Sequence, residues 1–328
     1  MHIPDGFING VTSLGAGVVA ASGLGASLRR AGTVLQDRQI PLAGLVAAFV
    51  FVLQMLNFPV VAGMSGHLLG GALTAILIGP WLGVVVLSVV VIVQALLFAD
   101  GGLSALGLNI VNMGVITVVA GWFFFRLMMV FLRKSSTSIL IAAAVAAWAS
   151  VVASSLGFVA EYAIGGSGGA PLSTVLGAMS GTHSLIGIGE GLITAGVLGS
   201  VLAVRPDLVH GARLYGVRND GGAVLGRGPV VAFIVGGLAV AVLLVTVVAP
   251  RVSSDPDGLE RVAIDQGFAA EAEDGALGDS PLAGYGSDAN EGGVGTVVAG
   301  LIGLTATFVA GAGLVLLGRR NPKKTARR

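Results

Sequence analysis

Hydrophobic residues in this chain of 328 residues are gathered into nine runs that polar loops separate. A helix needs about 20 apolar residues to cross the hydrocarbon core of a membrane, and eight runs approach that length. The third run is shorter, and Gly79-Pro80 separates it from the fourth, so we expect a half-helix that enters beside an irregular segment. The nine segments cover approximately residues 8–28, 40–61, 67–79, 81–98, 105–126, 139–160, 183–204, 229–249 and 294–317.

Composition favours an all-α polytopic membrane protein. Hydrophobic residues make up 55% of the chain and charged residues 11%, and the mean hydropathy is +0.93. Soluble domains carry about a quarter charged residues, so an ordinary cytosolic enzyme and a nucleic-acid binder are excluded, and membrane lipid is the expected surrounding. The 53 glycines suit close helix packing in lipid. The absence of Cys excludes disulfides, thiolate metal sites and Cys nucleophiles.

The basic residues predict the orientation in the membrane. Sixteen of the 18 Lys and Arg residues fall on one side if the N-terminus lies outside and the C-terminus in the cytoplasm, in agreement with the positive-inside rule. The other two, Arg251 and Arg261, lie in an outside loop that carries ten acidic residues and a net charge of minus eight. For this loop we expect a cation-attracting or gating role.

The same pattern predicts three regions. Residues 1–204 form a seven-helix module, residues 205–228 a cytoplasmic linker, and residues 229–328 a module of two transmembrane helices around the acidic loop. Residues 1–7 lack the basic region of a cleavable signal peptide. Because a large second residue disfavours removal of the initiator, we expect a free amine on Met1.

Two histidines are candidate metal ligands. His2 offers its ring nitrogen, its backbone nitrogen and the preceding α-amine in fused small chelate rings, provided that the metal displaces the amide proton. His67, in Gly63-Met64-Ser65-Gly66-His67, is a candidate fourth nitrogen donor. Square-planar nitrogen sites favour Ni(II) or Cu(II) over Zn(II), Mg(II) or Ca(II). The competing interpretation is that His2 only ends a frayed terminus.

Further polar residues lie in otherwise apolar runs. Gln94, Asn109 and Asn112 either hydrogen-bond a ligating His or join helices. His183, placed at the outer end of the seventh run, and Glu190 lie two turns apart on one helix face. The Glu190 carboxylate could pair with His183, take up a proton or contact a neighbouring helix.

An enzymatic alternative rests on Gly63-Met64-Ser65-Gly66, which matches the G-x-S-G pattern of rhomboid-like intramembrane serine proteases, with Ser65 as nucleophile and His183 as base. The match is short, and it leaves His2, the acidic loop and the basic tail unexplained. The sequence also lacks a G-x-x-x-x-G-K-[ST] phosphate-binding loop. Transport against a gradient would therefore depend on the ATPase of a partner or on an ion gradient.

Four separated motifs carry a family resemblance: residues 1–7 (MHIPDGF), 63–71 (GMSGHLLGG), 94–114 (from QALLFADGG to NMG) and 182–190 (THSLIGIGE). Together they resemble the CbiM/NikM family of substrate-binding membrane components of energy-coupling factor (ECF) transporters for cobalt and nickel. The resemblance covers residues 1 to about 204. Residues 256–260 (PDGLE) resemble the signature of the PDGLE module, which is related to the small CbiN/NikN subunit.

The resemblance implies a function and a site. It implies a non-enzymatic ATP-driven uptake component that binds Co²⁺ or Ni²⁺ as transported substrate and holds no permanent cofactor. The implied ligands are the Met1 amine, the backbone nitrogen and ring of His2, and the ring of His67. The implied partners are a transmembrane coupling component and two cytoplasmic ATPase subunits, in a bacterial or archaeal cell membrane. The nitrogen set suits Ni(II) and low-spin Co(II) alike, so the metal stays open.

Overall fold

A computed structural model describes residues 1–34, 39–217, 227–285 and 294–318. Predictions that concern Arg38, residues 218–226 of the linker, the end of the acidic loop at 286–293 and the basic tail at 319–328 lie outside the described residues. The described part of the chain is almost entirely helical, apart from one short hairpin and the loops. It bears out the all-α class.

The first module is a bundle of helices with one β-hairpin. Six of its eight α-helices belong to five candidate membrane-crossing segments, since the fifth and sixth are joined by a π-helical stretch, Ile110–Ile116, into one continuous helix, and the second and third are shorter. The elements are α1 (Gly10–Val34), α2 (Gln39–Met55), β1 (Phe58–Val61), β2 (Met64–Gly66), α3 (Gly71–Ile78), α4 (Pro80–Phe98), α5 (Leu106–Asn109), α6 (Thr117–Phe131), α7 (Ser136–Gly165) and α8 (Leu172–Val204).

The remaining described residues form a short helix, α9 (His210–Leu214), and the second module. That module contains α10 (Arg227–Leu243), extended by a π-helical stretch, then α11 (Gly258–Gln266) and α12 (Val294–Gly318). By length and composition, seven described helices can cross a membrane, and α2 is a shorter apolar helix. The chain is therefore a multi-pass membrane protein.

Two predicted segments have boundaries that differ from those expected from the sequence. The run at 40–61 stays helical only to Met55, because Pro59 lacks a backbone N–H and disfavours a helical residue before it. The following residues form the antiparallel hairpin β1–β2. In the third run the half-helix is present as α3, yet it begins at Gly71 rather than 67, because Gly70 adopts a left-handed φ of 83°.

The seventh predicted segment begins too late. Helix α8 starts at Leu172, eleven residues before His183, so the expectation of a histidine at the helix end is wrong. Small polar residues precede His183, and they lowered the apolar signal without breaking the helix. A serine side chain can satisfy its hydroxyl within a helix, as Ser184 does here by donating to the Ser180 carbonyl one turn earlier. His183 consequently lies inside the bundle.

Helix α3 is the most enclosed element of the bundle. All eight of its residues are buried, and its backbone approaches α6 closely, since a Cβ on Gly71 would lie 2.1 Å from Thr117 Oγ1 and one on Gly121 2.7 Å from Ala72 Cα. Eight helical residues span only about 12 Å. Helix α3 by itself is therefore too short to cross a membrane, and the irregular segment 67–70 before it carries His67 into the bundle.

The second module attaches through α12, which packs against α2. A Cβ on Gly303 would lie 2.0 Å from the Phe51 ring, so the backbone of α12 packs directly against this ring of α2. The described part of the loop between α10 and α12 then covers the end of the bundle where the N-terminus lies. It is fixed there by hydrogen bonds from Ser253 N to the Asn57 carbonyl, 3.1 Å, and from Glu273 N to the Asp5 carbonyl, 2.9 Å.

Candidate metal centre

The N-terminal segment is threaded into the bundle. Met1 is 3% exposed and Ile3 is fully buried. Asn109, in α5, holds the segment by two hydrogen bonds: its Oδ1 accepts from Ile3 N at 2.7 Å, and its Nδ2 donates to the Ile3 carbonyl at 3.0 Å. Asp5 accepts from the backbone of Ser104 at 2.7 Å. These contacts fix the terminal nitrogen at one position.

His67 reaches the same position from the loop before α3. Its Nδ1 lies 3.0 Å from the Leu68 carbonyl oxygen, which only accepts, so Nδ1 carries the proton and Nε2 is left with a lone pair. Nε2 lies 2.5 Å from the Met1 nitrogen. The loop is held by Glu190, whose carboxylate accepts from Leu69 N at 2.6 Å and Gly70 N at 2.9 Å. Glu190 therefore positions the segment that carries His67.

His2 stacks on His67, with ring centroids 5.1 Å apart and an angle of 28°. Its Nδ1 lies 3.1 Å from Asp100 Oδ1 and its Nε2 3.2 Å from Gln94 Oε1. When Nε2 donates to Gln94, Nδ1 keeps a lone pair, which can bind a metal and close a small chelate ring with the His2 backbone nitrogen once Nδ1 turns away from Asp100. Tyr285 donates to Asp100 at 2.6 Å and accepts from Gln94 Nε2.

Burial sets the charge of the His2 ring. Desolvation, with smaller contributions from the terminal ammonium and His67, lowers the pKa of His2 to about 4, although Asp100 acts in the opposite direction. The ring is therefore neutral near pH 7. Only the neutral ring can bind a metal.

Asp257, from the second module, also reaches the terminal nitrogen. Its Oδ2 lies 2.6 Å from Met1 N and 3.6 Å from His67 Nε2. Burial raises its pKa, but the terminal ammonium beside it outweighs burial, so the pKa of Asp257 lies well below its usual range. The sequence analysis placed Asp257 only in a signature and among acidic loop residues. Its role at this centre, like those of Asp100 and Tyr285, was missed.

The other predicted residues lie at different distances from this centre. His183 is 1% exposed and lines a small cavity with Met1 and His67; its Nδ1 lies 2.9 Å from the Met179 carbonyl, and its Nε2 has no hydrogen-bond partner among the described residues. Asn112 instead donates to Glu161 on α7 at 2.6 Å, which joins two helices. Its side chain thus takes the helix-joining role.

Ser65 does not pair with His183. Its hydroxyl donates to the Asp255 carbonyl at 2.7 Å, and the bonds of the His183 ring are those given above. In the described part of the chain, the nucleophile–base hydrogen bond of a serine protease is therefore missing.

An open cleft leads from the surface to the centre. It encloses about 390 Å³ and is lined by His2 and five carboxylates, namely Asp5, Asp100, Asp257, Glu260 and Glu273. Across the described ranges, no three His, Asp or Glu side chains gather closely enough to hold a metal by themselves. The terminal nitrogen is thus the atom that completes a nitrogen-rich centre, and the cleft offers a cation access to it.

A polytopic helical bundle with a buried nitrogen centre below an acidic cleft is typical of a membrane protein that handles a metal cation. The chain belongs to the family described as the cobalt uptake substrate-specific transmembrane region, whose model matches residues 2–208, and a PDGLE domain matches residues 231–320. This family is a metal transport component and not an enzyme.

Relatives agree with the family. A protein of Haloquadratum walsbyi, whose name assigns it provisionally to metal transport, is 41% identical over 64% of this chain and 93% of its own. The fused nickel transport protein NikMN of Rhodobacter capsulatus is 30% identical over 64% of each chain. A crystal structure of a transition metal transporter matches with a TM-score of 0.54 and 30% identity, over 62% of this chain and 93% of that one.

Proposed function

We propose that this protein captures Ni²⁺ or Co²⁺ from outside the cell and delivers it inward as the substrate-binding component of an ATP-driven ECF transporter. The proposed ligands are the Met1 amine, the His2 backbone nitrogen, His2 Nδ1 and His67 Nε2. Four nitrogens in this arrangement suit a planar site, which Ni(II) adopts readily. The metal is transported substrate, and no permanent cofactor is proposed.

The observation that carries this proposal is the approach of His67 Nε2 to the Met1 nitrogen at 2.5 Å. Metal–nitrogen bonds are about 2.0–2.1 Å long, so adjacent ligands of one metal lie about 3 Å apart. In the absence of a metal, protons of the amine bridge the two nitrogens at a similar distance. Two donors from opposite parts of the bundle are therefore already in place for a small cation.

The proposed direction and energy source are supported by the distribution of charge and by the absence of a phosphate-binding loop motif from this sequence. The acidic cleft lies at the N-terminal end of the bundle, and a cation is attracted there. The basic loops lie at the opposite end by the positive-inside rule. We propose that this basic end binds a transmembrane coupling component and two cytoplasmic ATPases, and that the cleft faces outward.

Metal binding by the purified protein tests the site. We would titrate Ni²⁺ and Co²⁺ into the protein with its native N-terminus, a form with two extra residues before Met1, and His67→Ala. His210→Ala is the matched control, because His210 lies beside Gly79 at the other end of α3. We expect at least 100-fold weaker binding in the first two variants and unchanged binding in the control. Equal binding by the extended and native forms would show that the terminal amine is not a ligand.

Uptake of radioactive nickel by cells tests direction and coupling. Cells that make this chain with its coupling component and ATPases should accumulate nickel. Replacing the phosphate-binding Lys of the ATPases should stop accumulation. Accumulation that continues in that variant would contradict the proposed energy source.

A further inference from the structure

We propose that Asp257, a residue of the C-terminal module, is the anionic partner of the metal centre. It holds the terminal nitrogen before the metal arrives and balances the metal's charge afterwards. The inference rests on the proposed function, and it adds a residue from outside the first module to the site.

The carboxylate of Asp257 has two separate tasks. Oδ1 accepts from the backbone N–H groups of Leu259 and Glu260, at 2.8 and 2.9 Å, and so caps α11. Oδ2 points the other way and lies 2.6 Å from the Met1 nitrogen. One oxygen thus ties the side chain to its own module, and the other ties it to the centre.

The backbone around Asp257 is fixed to the hairpin that precedes His67. Ser65 N donates to the Pro256 carbonyl at 2.9 Å, and the Ser65 hydroxyl donates to the Asp255 carbonyl at 2.7 Å. On the other side, Gly258 lies against α8, where a Cβ would come within 2.5 Å of Ile186 Cδ1. Asp257 and His67 are therefore held by one rigid connection, and their separation of 3.6 Å is a property of the fold.

A metal bound at the centre must lie close to Asp257. If the metal is about 2.1 Å from the Met1 nitrogen, and that nitrogen is 2.6 Å from Oδ2, the metal and Oδ2 are at most about 4.7 Å apart. The side chain of Met1 is 2% exposed, that of His67 5% and that of Asp257 19%, so water screens this charge only in part. A buried cation needs a compensating charge, and Asp257 supplies it.

The second carboxylate nearby has different partners. Asp100 accepts from the Tyr285 hydroxyl and faces the ring of His2. Among the described residues, Asp257 is the carboxylate that contacts the terminal nitrogen. The N-terminal module thus contributes the nitrogen donors, and the C-terminal module contributes the carboxylate that faces two of them, the Met1 amine and the His67 ring.

The experiment is a titration of Ni²⁺ into the full-length protein and two variants at Asp257. In Asp257→Asn and Asp257→Ser the helix cap is retained, because Asn and Ser cap helices as Asp does, but the negative charge is removed. Asp265→Asn is the matched control: it removes one charge from the same helix, at an exposed pair with Arg261. Thermal unfolding of each protein shows whether its fold is intact.

We expect both Asp257 variants to bind Ni²⁺ at least 10-fold more weakly than the native protein. The visible absorption band of the nickel site should stay in place, because its nitrogen donors are unchanged. Asp265→Asn should bind as the native protein does. Native affinity in either Asp257 variant would overturn the inference and leave the proposed function standing. If the native protein itself bound no Ni²⁺ or Co²⁺, the proposed function would be wrong.

Discussion

The two modules differ in how deeply their spans are buried. In the first module the buried share of a span ranges from 17% in α1 to 78% in α4, whereas the two spans of the second module are 11% and 33% buried. The second module exposes most of its helical surface. Its connecting loop, in contrast, places Asp257 against the chain terminus. The helices of this module anchor it, and its loop reaches the centre.

The difference shows how a peripheral module can act on a central site. Helices in lipid gain little from burying apolar surface, so α12 attaches through close contacts at Gly44, Gly303 and Gly311. The loop instead uses hydrogen bonds to Asn57, Ser65 and Asp5. Packing determines where the module lies, and polar contacts determine what it touches. The following predictions test this division.

Competition between protons and the metal should have the largest effect on nickel affinity. This competition should involve only the nitrogen donors of the first module. Metal binding displaces one proton from the terminal ammonium and one from the His2 amide. Nickel affinity should therefore fall by about 100-fold, or about 2.7 kcal/mol, for each pH unit of acidification. The low pKa of Asp257 keeps it charged over this range, so Asp257→Asn should preserve the slope. Affinity that stayed constant from pH 8 to 6 in calorimetric titrations would contradict these donors.

Asn109→Ala should have the second largest effect, because it removes both hydrogen bonds from Asn109 to Ile3. The Ile3 carbonyl keeps its bond from Gly102 N at 2.9 Å, but the buried Ile3 N–H is left without a partner, which costs about 1–3 kcal/mol. We expect nickel affinity to fall by about 1–3 kcal/mol. Asn9→Ala is the control, since the Asn9 side chain accepts a hydrogen bond from Thr12 N at an exposed position. Equal losses in both variants would remove the positioning role of Asn109.

Gly303→Leu should weaken the attachment of the second module without changing a residue of the metal centre. The new side chain would overlap the Phe51 ring, and overpacking costs about 1–3 kcal/mol. Gly313→Leu changes the same helix at a position with open space and serves as the control. Thermal unfolding in detergent should show a lower transition for the first variant alone. Identical transitions would indicate that the α2–α12 contact is not tight.

Tyr285→Phe should have the smallest effect. It removes the hydrogen bond to Asp100 but retains the ring that stacks on Phe98 at 5.1 Å. Because Tyr285 acts on His2 only through Asp100 and Gln94, we expect a loss of about 0.5–1 kcal/mol in nickel affinity. Phe98→Leu removes the stacking on Tyr285, together with the contact of Phe98 with Phe51, and retains the hydrogen bond to Asp100. A loss of nickel affinity above tenfold in Tyr285→Phe would contradict this indirect role of the tyrosine.

The sequence predicted much of the fold and part of the centre. Long apolar runs identified the membrane-crossing helices, since length and hydropathy alone decide whether a helix suits the bilayer. The first residues of two helices were not predicted. The left-handed Gly70 delays the start of α3, and the polar residues before His183 weaken the apolar signal over the first turns of α8. The assignment of Met1, His2 and His67 as metal ligands stays a prediction, for which the structure provides the geometry.

By itself, the sequence determined the class of protein, the order of its helices and the donor chemistry of its first residues, because these depend on composition and local pattern. Only the tertiary structure decided which polar groups meet. Met1, His67 and Asp257 are separated by 66 residues and 190 residues along the chain, yet they lie within 3.6 Å of one another. Sequence pattern records local periodicity, whereas this convergence results from the packing of two modules around one buried charge.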